Sequence, residues 1–435
     1  MRLIRLLKRD IAREAAEWVD EGLIAESQAE KICQRYDIDY HQAGNRSFAY
    51  AILVGLAALF VGLALITLIG GNWEDIPRSL RMGGLILLTV TTQGLALRKH
   101  LAGKQATADW LFLLGNLFYG ASIILIAQIY HLGEHMPDGI FWWALGCLPF
   151  GVLLRSPWLT LQSLILALIW FFMEAGLGFY PALLPLFLAG SLFVLYRGRQ
   201  SILLFLTTVG GIGCWAEYSL AELWRDGRQF DFHAEHIAVS TAMFITAYVF
   251  SHWLARRPGN NTKDYGAVLA VWSLRFGLIF MLVMSFAEPW RELIRAHWDQ
   301  QLSMFGVVVS LAALSMVLAV KVGRAGLVAG LLGFYLLTLL AVISSGDTSH
   351  AVYFQVVYNL VLIGVGIWLN IRGIHDGISH YFFLGVTAIL LTAFMRYIDL
   401  IGDYMGGALL FMLFAALLFG AAKYWQRQQM TGGVR

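Results

Sequence analysis

The stretch that decides the fold is Trp110–Ser156, which reads WLFLLGNLFYGASIILIAQIYHLGEHMPDGIFWWALGCLPFGVLLRS. Its first half, Trp110–Tyr130, is a single apolar run. A helix rises ~1.5 Å per residue, so a run of this length spans about the ~30 Å hydrocarbon core of a bilayer. A short polar loop then leads into a second apolar run that opens with Trp142 and Trp143. The stretch therefore predicts two membrane-spanning helices joined by a loop.

Small and polar residues form a stripe along the first of these helices. At about 100° per residue, Asn116, Gly120, Ala127 and Tyr130 fall on one arc, with Gln128 beside it. Because hydrocarbon offers no hydrogen-bond partners, such a stripe must face protein or water. Two interpretations stay open. The stripe is either an ordinary packing surface between helices or the wall of a polar cavity.

The same stretch carries a family resemblance. The pattern G-N-x-F-x-G-A-x-I-x-x-I-x-Q-x-Y-H runs from Gly115 to His131, and W-A-L-G-x-L-P follows at Trp143–Pro149. Together with the lead-in at Gly22–Tyr36, these motifs resemble a family of bacterial membrane proteins known as domain of unknown function 2157. The resemblance covers Trp18–Ser156 and implies a multi-helix fold in the bacterial inner membrane. It brings no activity with it.

The composition independently indicates a membrane protein. Of the 435 residues, 59% are hydrophobic and 14% are charged, and the mean hydropathy is +0.67. These values are typical of a polytopic helical membrane protein and exclude an ordinary soluble globule. Only three cysteines are present, which argues against a disulfide framework. We predict an all-α fold, a transmembrane helical bundle of about 14 spans.

Fourteen apolar segments support that number of spans. Their approximate cores are residues 48–70, 82–97, 110–130, 140–154, 158–173, 182–195, 201–220, 237–254, 266–286, 302–320, 325–344, 351–371, 380–397 and 405–423. The segments 158–173 and 182–195 are short, and whether both cross the bilayer completely is left open. We assign residues 48–424 to a transmembrane domain and residues 425–435 to a cytoplasmic tail.

Residues 1–47 are predicted to form a small cytoplasmic helical hairpin. Leu3, Ile4, Leu7 and Ile11 recur at helical spacing among basic residues, as in an amphipathic helix, and a second helix follows up to about Tyr36. A hairpin of this size is too small to fold alone. We therefore expect it to dock on membrane lipids or on another membrane or envelope protein. Nucleic acid is not expected as a partner, because nine acidic residues offset eight basic ones.

Lysine and arginine are distributed unevenly between alternate loops. The N-terminal hairpin, every second loop and the tail hold 23 of the 31 basic residues, and the opposite loops hold only seven. Positively charged loops remain in the cytoplasm. Both termini are therefore predicted to be cytoplasmic, in a multi-pass protein of the bacterial inner membrane.

The outer loops are rich in histidine and carboxylate, which are good ligands for Zn²⁺ and related ions. The tightest clusters are H-x-x-E-H, formed by His131, Glu134 and His135, and H-x-E-H, which includes His233 and His236. Solvated loops without a metal are the alternative, and no cofactor is predicted. A separate outer loop, Glu288–Gln301, has Trp290 and Leu293 at helical spacing and predicts a short amphipathic surface helix.

Arg275 is a lone charge about ten residues into its apolar segment. Such a residue costs about 2.5–3.5 kcal/mol at the centre of a membrane helix, so we expect it in a polar pocket between helices. Asn359 and Glu217 are the candidate partners. Arg275 then either bonds backbone carbonyls as a structural hub or contacts an anionic substrate group, together with Asn116 and Gln128.

No catalytic motif accompanies these residues. The chain has no P-loop, no G-x-G-x-x-G, no H-E-x-x-H, no C-x-x-C and no G-x-S-x-G, so enzymatic activity is not favoured. Two functional classes remain. The sequence slightly favours a transporter or a translocase for lipids or envelope precursors. The alternative is a non-catalytic membrane scaffold or sensor that binds envelope partner proteins.

The charge asymmetry generates a topology test. In a background whose native cysteines are replaced, Lys104→Cys and Lys263→Cys should react with a membrane-impermeant thiol reagent only after the cells are permeabilised, because both loops are predicted to be cytoplasmic. Arg291→Cys, in a predicted outer loop, is the matched control and should react in intact cells. Labelling of residue 104 or 263 in intact cells would overturn the topology.

Overall fold

The computed structural model describes residues 8–35, 77–130, 135–225, 232–375 and 379–399, together with a few isolated positions. These residues form fifteen α-helices and one 3₁₀ turn, and they contain no strand. The helices are α1 Lys8–Asp20, α2 Glu26–Arg35, α3 Arg78–Leu101, α4 Gln105–Tyr130, α5 Met136–Leu153, α6 Pro157–Gly176, α7 Leu184–Arg197, α8 Ile202–Leu223, α9 Ala234–Ala255, α10 Asn260–Val283, α11 Ala287–Arg295, α12 Gln301–Val322, α13 Ala325–Ser344, α14 Ala351–His375 and α15 Ser379–Asp399. The 3₁₀ turn is Thr348–His350. The all-α prediction is confirmed.

Ten of the described helices are long and apolar enough to cross a membrane, namely α4, α5, α6, α8, α9, α10, α12, α13, α14 and α15. Each coincides with one of the fourteen predicted segments. Segment 182–195 corresponds to α7, which has only 14 residues. Segment 82–97 lies in α3, which carries polar residues throughout and ends in Arg98, Lys99 and His100. The segments 48–70 and 405–423, and the tail 425–435, lie outside the described residues or hold only isolated ones.

The chain divides into two compact units, one formed by residues 4–232 and the other mainly by residues 233–435. In the first unit, proline starts three helices: Pro137, Pro157 and Pro185 occupy one of the first two positions of α5, α6 and α7. Proline lacks a backbone N–H, and at these positions an N–H would have no acceptor within the helix. The core of this unit lies between α5, α6, α7 and α8, and its largest side chains include Trp170, Phe171 and Phe187.

The second unit is held by close helix crossings and by a buried tryptophan. Gly266 on α10 lies against the backbone of α9, and Gly373 on α14 lies against the backbone of α15. The short helix α11 is the amphipathic helix predicted from the outer loop. Its Trp290 is 2% exposed, stacks on Phe354 and donates its indole N–H to the main-chain oxygen of Met284 at 2.6 Å. Leu293 is buried beside it.

Helices α1 and α2 pack on each other through small side chains. Ala12, Ala15, Ala29 and Cys33 are buried together at this contact. Gly22 supplies the left-handed turn between the two helices, with φ of 73°. Residues 1–7 and 36–47, which complete the predicted hairpin domain, lie outside the described residues.

The packing of Cys33 predicts its reactivity. Burial raises the pKa of the Cys33 thiol, which lowers the thiolate fraction that reacts with alkylating agents. In the full-length protein at pH 7.5, alkylation of the Cys33 peptide by iodoacetamide, followed by mass spectrometry, should be at least about tenfold slower than in the unfolded chain.

Two variants control this measurement. Ala15→Glu introduces a charge into the α1–α2 contact and should accelerate the reaction, whereas Glu14→Ala changes an exposed neighbour and should not. Equal alkylation rates in the native and the unfolded protein would show that α1 and α2 do not pack in solution.

Candidate functional site

A chain of side-chain amides joins three helices of the first unit. Gln93 on α3 donates from Nε2 to Asn116 Oδ1 on α4 at 3.0 Å. Asn116 in turn donates from Nδ2 to Gln162 Oε1 on α6 at 2.9 Å. Asn116 is only 1% exposed. The Asn116 amide is therefore enclosed by Gln93 and Gln162, and it is not accessible to a soluble ligand.

The small residues of the α4 motif receive bulky side chains from neighbouring helices. A Cβ atom at Gly120 would overlap the indole of Trp143 on α5, and one at Gly146 on α5 would overlap the ring of Tyr119 on α4. The Trp143 indole N–H donates to the main-chain oxygen of Asn116 at 2.7 Å. Each helix thus inserts an aromatic ring into a gap that a glycine leaves in the other. We call this arrangement the α4–α5 interlock.

The interlock and the amide chain account for two residues of the α4 stripe. Asn116 and Gly120 face protein, in contact with Gln93, Gln162 and Trp143. At these two positions the stripe is a packing surface between helices. The sequence analysis did not identify Gln162. Its position as an amide within an apolar run could have indicated that it bonds another buried polar group. The side chain of Gln128 lies outside the described residues.

A second cluster of polar groups lies where α5 begins and α6 ends. His135 precedes α5, Asp138 is in its first turn, and Glu174 is in the last turn of α6. The nitrogen and oxygen atoms that these three side chains could offer to a metal lie within 4.8 Å of one another. His135 Nε2 is 3.0 Å from Glu174 Oε2, and Trp170 Nε1 donates to Glu174 Oε1 at 3.0 Å.

This cluster differs from both metal sites considered from the sequence. Of the first set, only His135 is described, because His131 and Glu134 lie outside the described residues. His233 and His236 belong to the other compact unit, where His233 is exposed and His236 is buried. Glu174 and Asp138 were not recognised as partners of His135. Glu174 could have been recognised in the sequence because it is the one acidic residue of α6.

The expectation that Arg275 lies in a polar pocket between helices stays a prediction. Its side chain is exposed on α10, and the guanidinium lies 5.3 Å from the centre of the Trp272 ring. A cation over an aromatic face is attracted to it electrostatically. Asn359 donates to the main-chain oxygens of Ser285 and Gln355, and Glu217 is on α8 in the other unit.

The interlock predicts a difference between two glycines. Gly120→Ala should destabilise the protein by about 1–3 kcal/mol, because the new methyl group displaces the Trp143 ring. Gly94→Ala on α3 is the matched control, since nothing lies within 4 Å of its added Cβ. It should be neutral or stabilise by up to about 1 kcal/mol through helix propensity. Thermal unfolding in detergent measures both. Equal effects of the two substitutions would contradict the interlock.

Comparison with known proteins agrees with the resemblance seen in the motifs. The model of the DUF2157 family, described as a predicted membrane protein, matches residues 16–160. No curated protein and no solved structure gives a significant match. The match includes α3, α4 and α5 and therefore the whole α4–α5 interlock. The chain is thus similar to the DUF2157 family of predicted membrane proteins over residues 16–160.

Proposed function

We propose that this membrane protein is a non-catalytic scaffold or sensor of the bacterial inner membrane that binds envelope partner proteins. The observation that supports this proposal best is the use of the Asn116 amide. The sequence favoured transport partly because of the polar stripe on α4. Both the donor and the acceptor of the Asn116 side chain are engaged by neighbouring helices, so this support for a transport path is lost.

The amide chain is a set of hydrogen bonds that holds neighbouring helices together. Interhelical hydrogen bonds and close contacts at small residues stabilise helix association where lipid supplies no hydrophobic driving force. The chain ends on Gln162 Nε2, which donates to the main-chain oxygen of Leu113, with a donor–acceptor distance of 3.4 Å. Gln93 Oε1, at the other end, has no hydrogen-bond partner among the described residues. A single free acceptor is too little to line a path for a polar substrate.

Helix α11 is the best-defined surface for a partner protein. Trp290 and Leu293 fix one face of this helix to the second unit. The opposite face carries two ion pairs, Arg291 with Glu288 at 2.9 Å and Arg295 with Glu292 at 3.0 Å. Exposed pairs of this kind contribute little to stability. A rigid helix with charges of both signs is therefore available for docking. The hairpin α1–α2 is a second proposed docking surface, for lipids or for another protein.

Transport or lipid translocation is the competing proposal, and Arg275 is the residue that favours it. An exposed guanidinium in the middle of a membrane helix can pair with a phosphate or carboxylate through two parallel hydrogen bonds. Its contact with Trp272 leaves the charge available to such a group. The competing proposal requires a water-filled route to this depth.

Thiol accessibility distinguishes the two proposals. In a background without native cysteines, we would introduce Ser122→Cys on α4 and Ser163→Cys on α6, which are nearly isosteric replacements of buried residues. A charged, membrane-impermeant thiol reagent should modify both at least about 100-fold more slowly than Lys104→Cys, because only a thiol that reaches water forms the reactive thiolate.

The reagent also reports brief openings, so a transporter that alternates between states would reveal itself. Modification of either buried position at a rate close to that of Lys104→Cys, in vesicles of either orientation, would favour transport over the scaffold. Lys104 lies in the exposed turn between α3 and α4 and provides the reference rate. Size-exclusion profiles of the three variants would show that each protein is folded.

A further inference from the structure

We propose that His135, Asp138 and Glu174 bind a divalent transition-metal ion at the common end of α5 and α6. An imidazole and two carboxylates are a donor set suited to Zn²⁺ and to neighbouring first-row ions. Protein ligands lie ~2.0–2.2 Å from zinc, so ligand atoms around one ion are roughly 3–4 Å apart. The three groups lie within 4.8 Å of one another. A small movement of the exposed Asp138 side chain brings them to this spacing.

The burial of Glu174 points to a cation. The residue is 7% exposed, and within the described part of the chain no lysine or arginine forms an ion pair with it. Buried carboxylates are normally paired with a charge or coordinated to a metal. Its only ion-pair partner among the described residues is His135, which is charged only when protonated. A divalent ion would compensate both carboxylates and leave the imidazole neutral, so the whole site would carry no net charge.

The surroundings of Glu174 resemble the outer shell of a metal site. Trp170 lies one helical turn before Glu174 and donates to Oε1, which leaves Oε2 directed toward His135. Hydrogen bonds of this kind orient a ligating carboxylate. Phe179 packs edge-on against the imidazole, with 5.3 Å between the ring centroids. The donors are thus oriented before any ion arrives.

The loop that follows α6 is also fixed. Arg225 donates to the main-chain oxygen of Gly178 at 2.9 Å, and the hydroxyls of Tyr180 and Ser219 lie 2.7 Å apart. The ion has a route of entry, because Asp138 is exposed and the His135 side chain is 32% exposed. Solvent can supply the remaining ligand as a water molecule, as in open zinc sites.

The site does not depend on the proposed function, because a scaffold, a sensor or a transporter could each hold such an ion. Metal binding is tested on the full-length protein in detergent, stripped with a chelator and titrated with Zn²⁺ by isothermal calorimetry. Equilibrium dialysis with elemental analysis gives the stoichiometry. We expect one high-affinity zinc ion per chain and an increase in the unfolding temperature on binding, since an ion that binds only the folded state stabilises it.

Four variants assign the ion to this cluster. Glu174→Gln preserves shape but removes the charge, and it should weaken binding at least about tenfold, as should His135→Asn. Trp170→Phe removes the hydrogen bond to Oε1 together with part of a buried ring, and it should weaken binding about 10–100-fold. His233→Gln, an exposed histidine of the other unit, is the matched control and should bind zinc like the wild type. A cooperative unfolding transition without metal would show that each variant is folded.

Two results would overturn the proposal. One is the absence of zinc binding by the wild type, or binding that Glu174→Gln leaves unchanged. The other is an unfolding temperature that saturating zinc leaves unchanged, which would mean that the cluster is a polar contact without a metal.

Discussion

The hydrogen bond from the Trp143 indole to the main-chain oxygen of Asn116 is the contact on which the first unit depends. A helical carbonyl already accepts a bond from within its own helix, so the indole must approach closely to reach it. Gly120 makes this approach possible because it has no side chain where the ring lies. The same ring positions α5 against α4, and α5 then packs along α6. In a bilayer, such contacts take the place of the hydrophobic driving force that holds soluble bundles together.

The sequence predicted the elements better than their contacts. Each of the fourteen segments is a run of apolar residues, and this property is local. All ten of the described helices that are long and apolar enough to span a membrane were therefore located. The partner of Asn116 was not found, because Gln162 lies 46 residues away and depends on the depth at which α6 sits. Asn116 itself could be named, since a lone amide in an apolar helix requires a partner. Which partner it takes is decided by helix packing.

The same distinction explains the cluster at the end of α5 and α6. Histidine and carboxylate are common in polar loops, and the spacing H-x-x-E-H attracted attention to neighbours in sequence. The actual neighbour of His135 is Glu174, 39 residues later. Two antiparallel helices joined by a short turn bring the start of one beside the end of the other. For Arg275 the sequence predicted a pocket formed by other helices, and the contact that the structure describes is local, with the face of Trp272 on the preceding turn of the same helix.

The cluster shares α5 with the interlock and α6 with the amide chain, and this links the three mechanically. Helix α5 carries Asp138 and Trp143, and helix α6 carries Gln162 and Glu174. At ~1.5 Å per residue, Glu174 lies about 18 Å along α6 from Gln162. A rigid helix keeps that distance fixed. Because Asn116 contacts both Trp143 on α5 and Gln162 on α6, the packing around it also determines the distance between Asp138 and Glu174. A change in the register of α5 against α6 would separate the two carboxylates, and it would also break either the hydrogen bond from Trp143 to Asn116 or the contact of Asn116 with Gln162. The arrangement of small and aromatic residues that joins these helices therefore also sets the geometry of the polar cluster at their end.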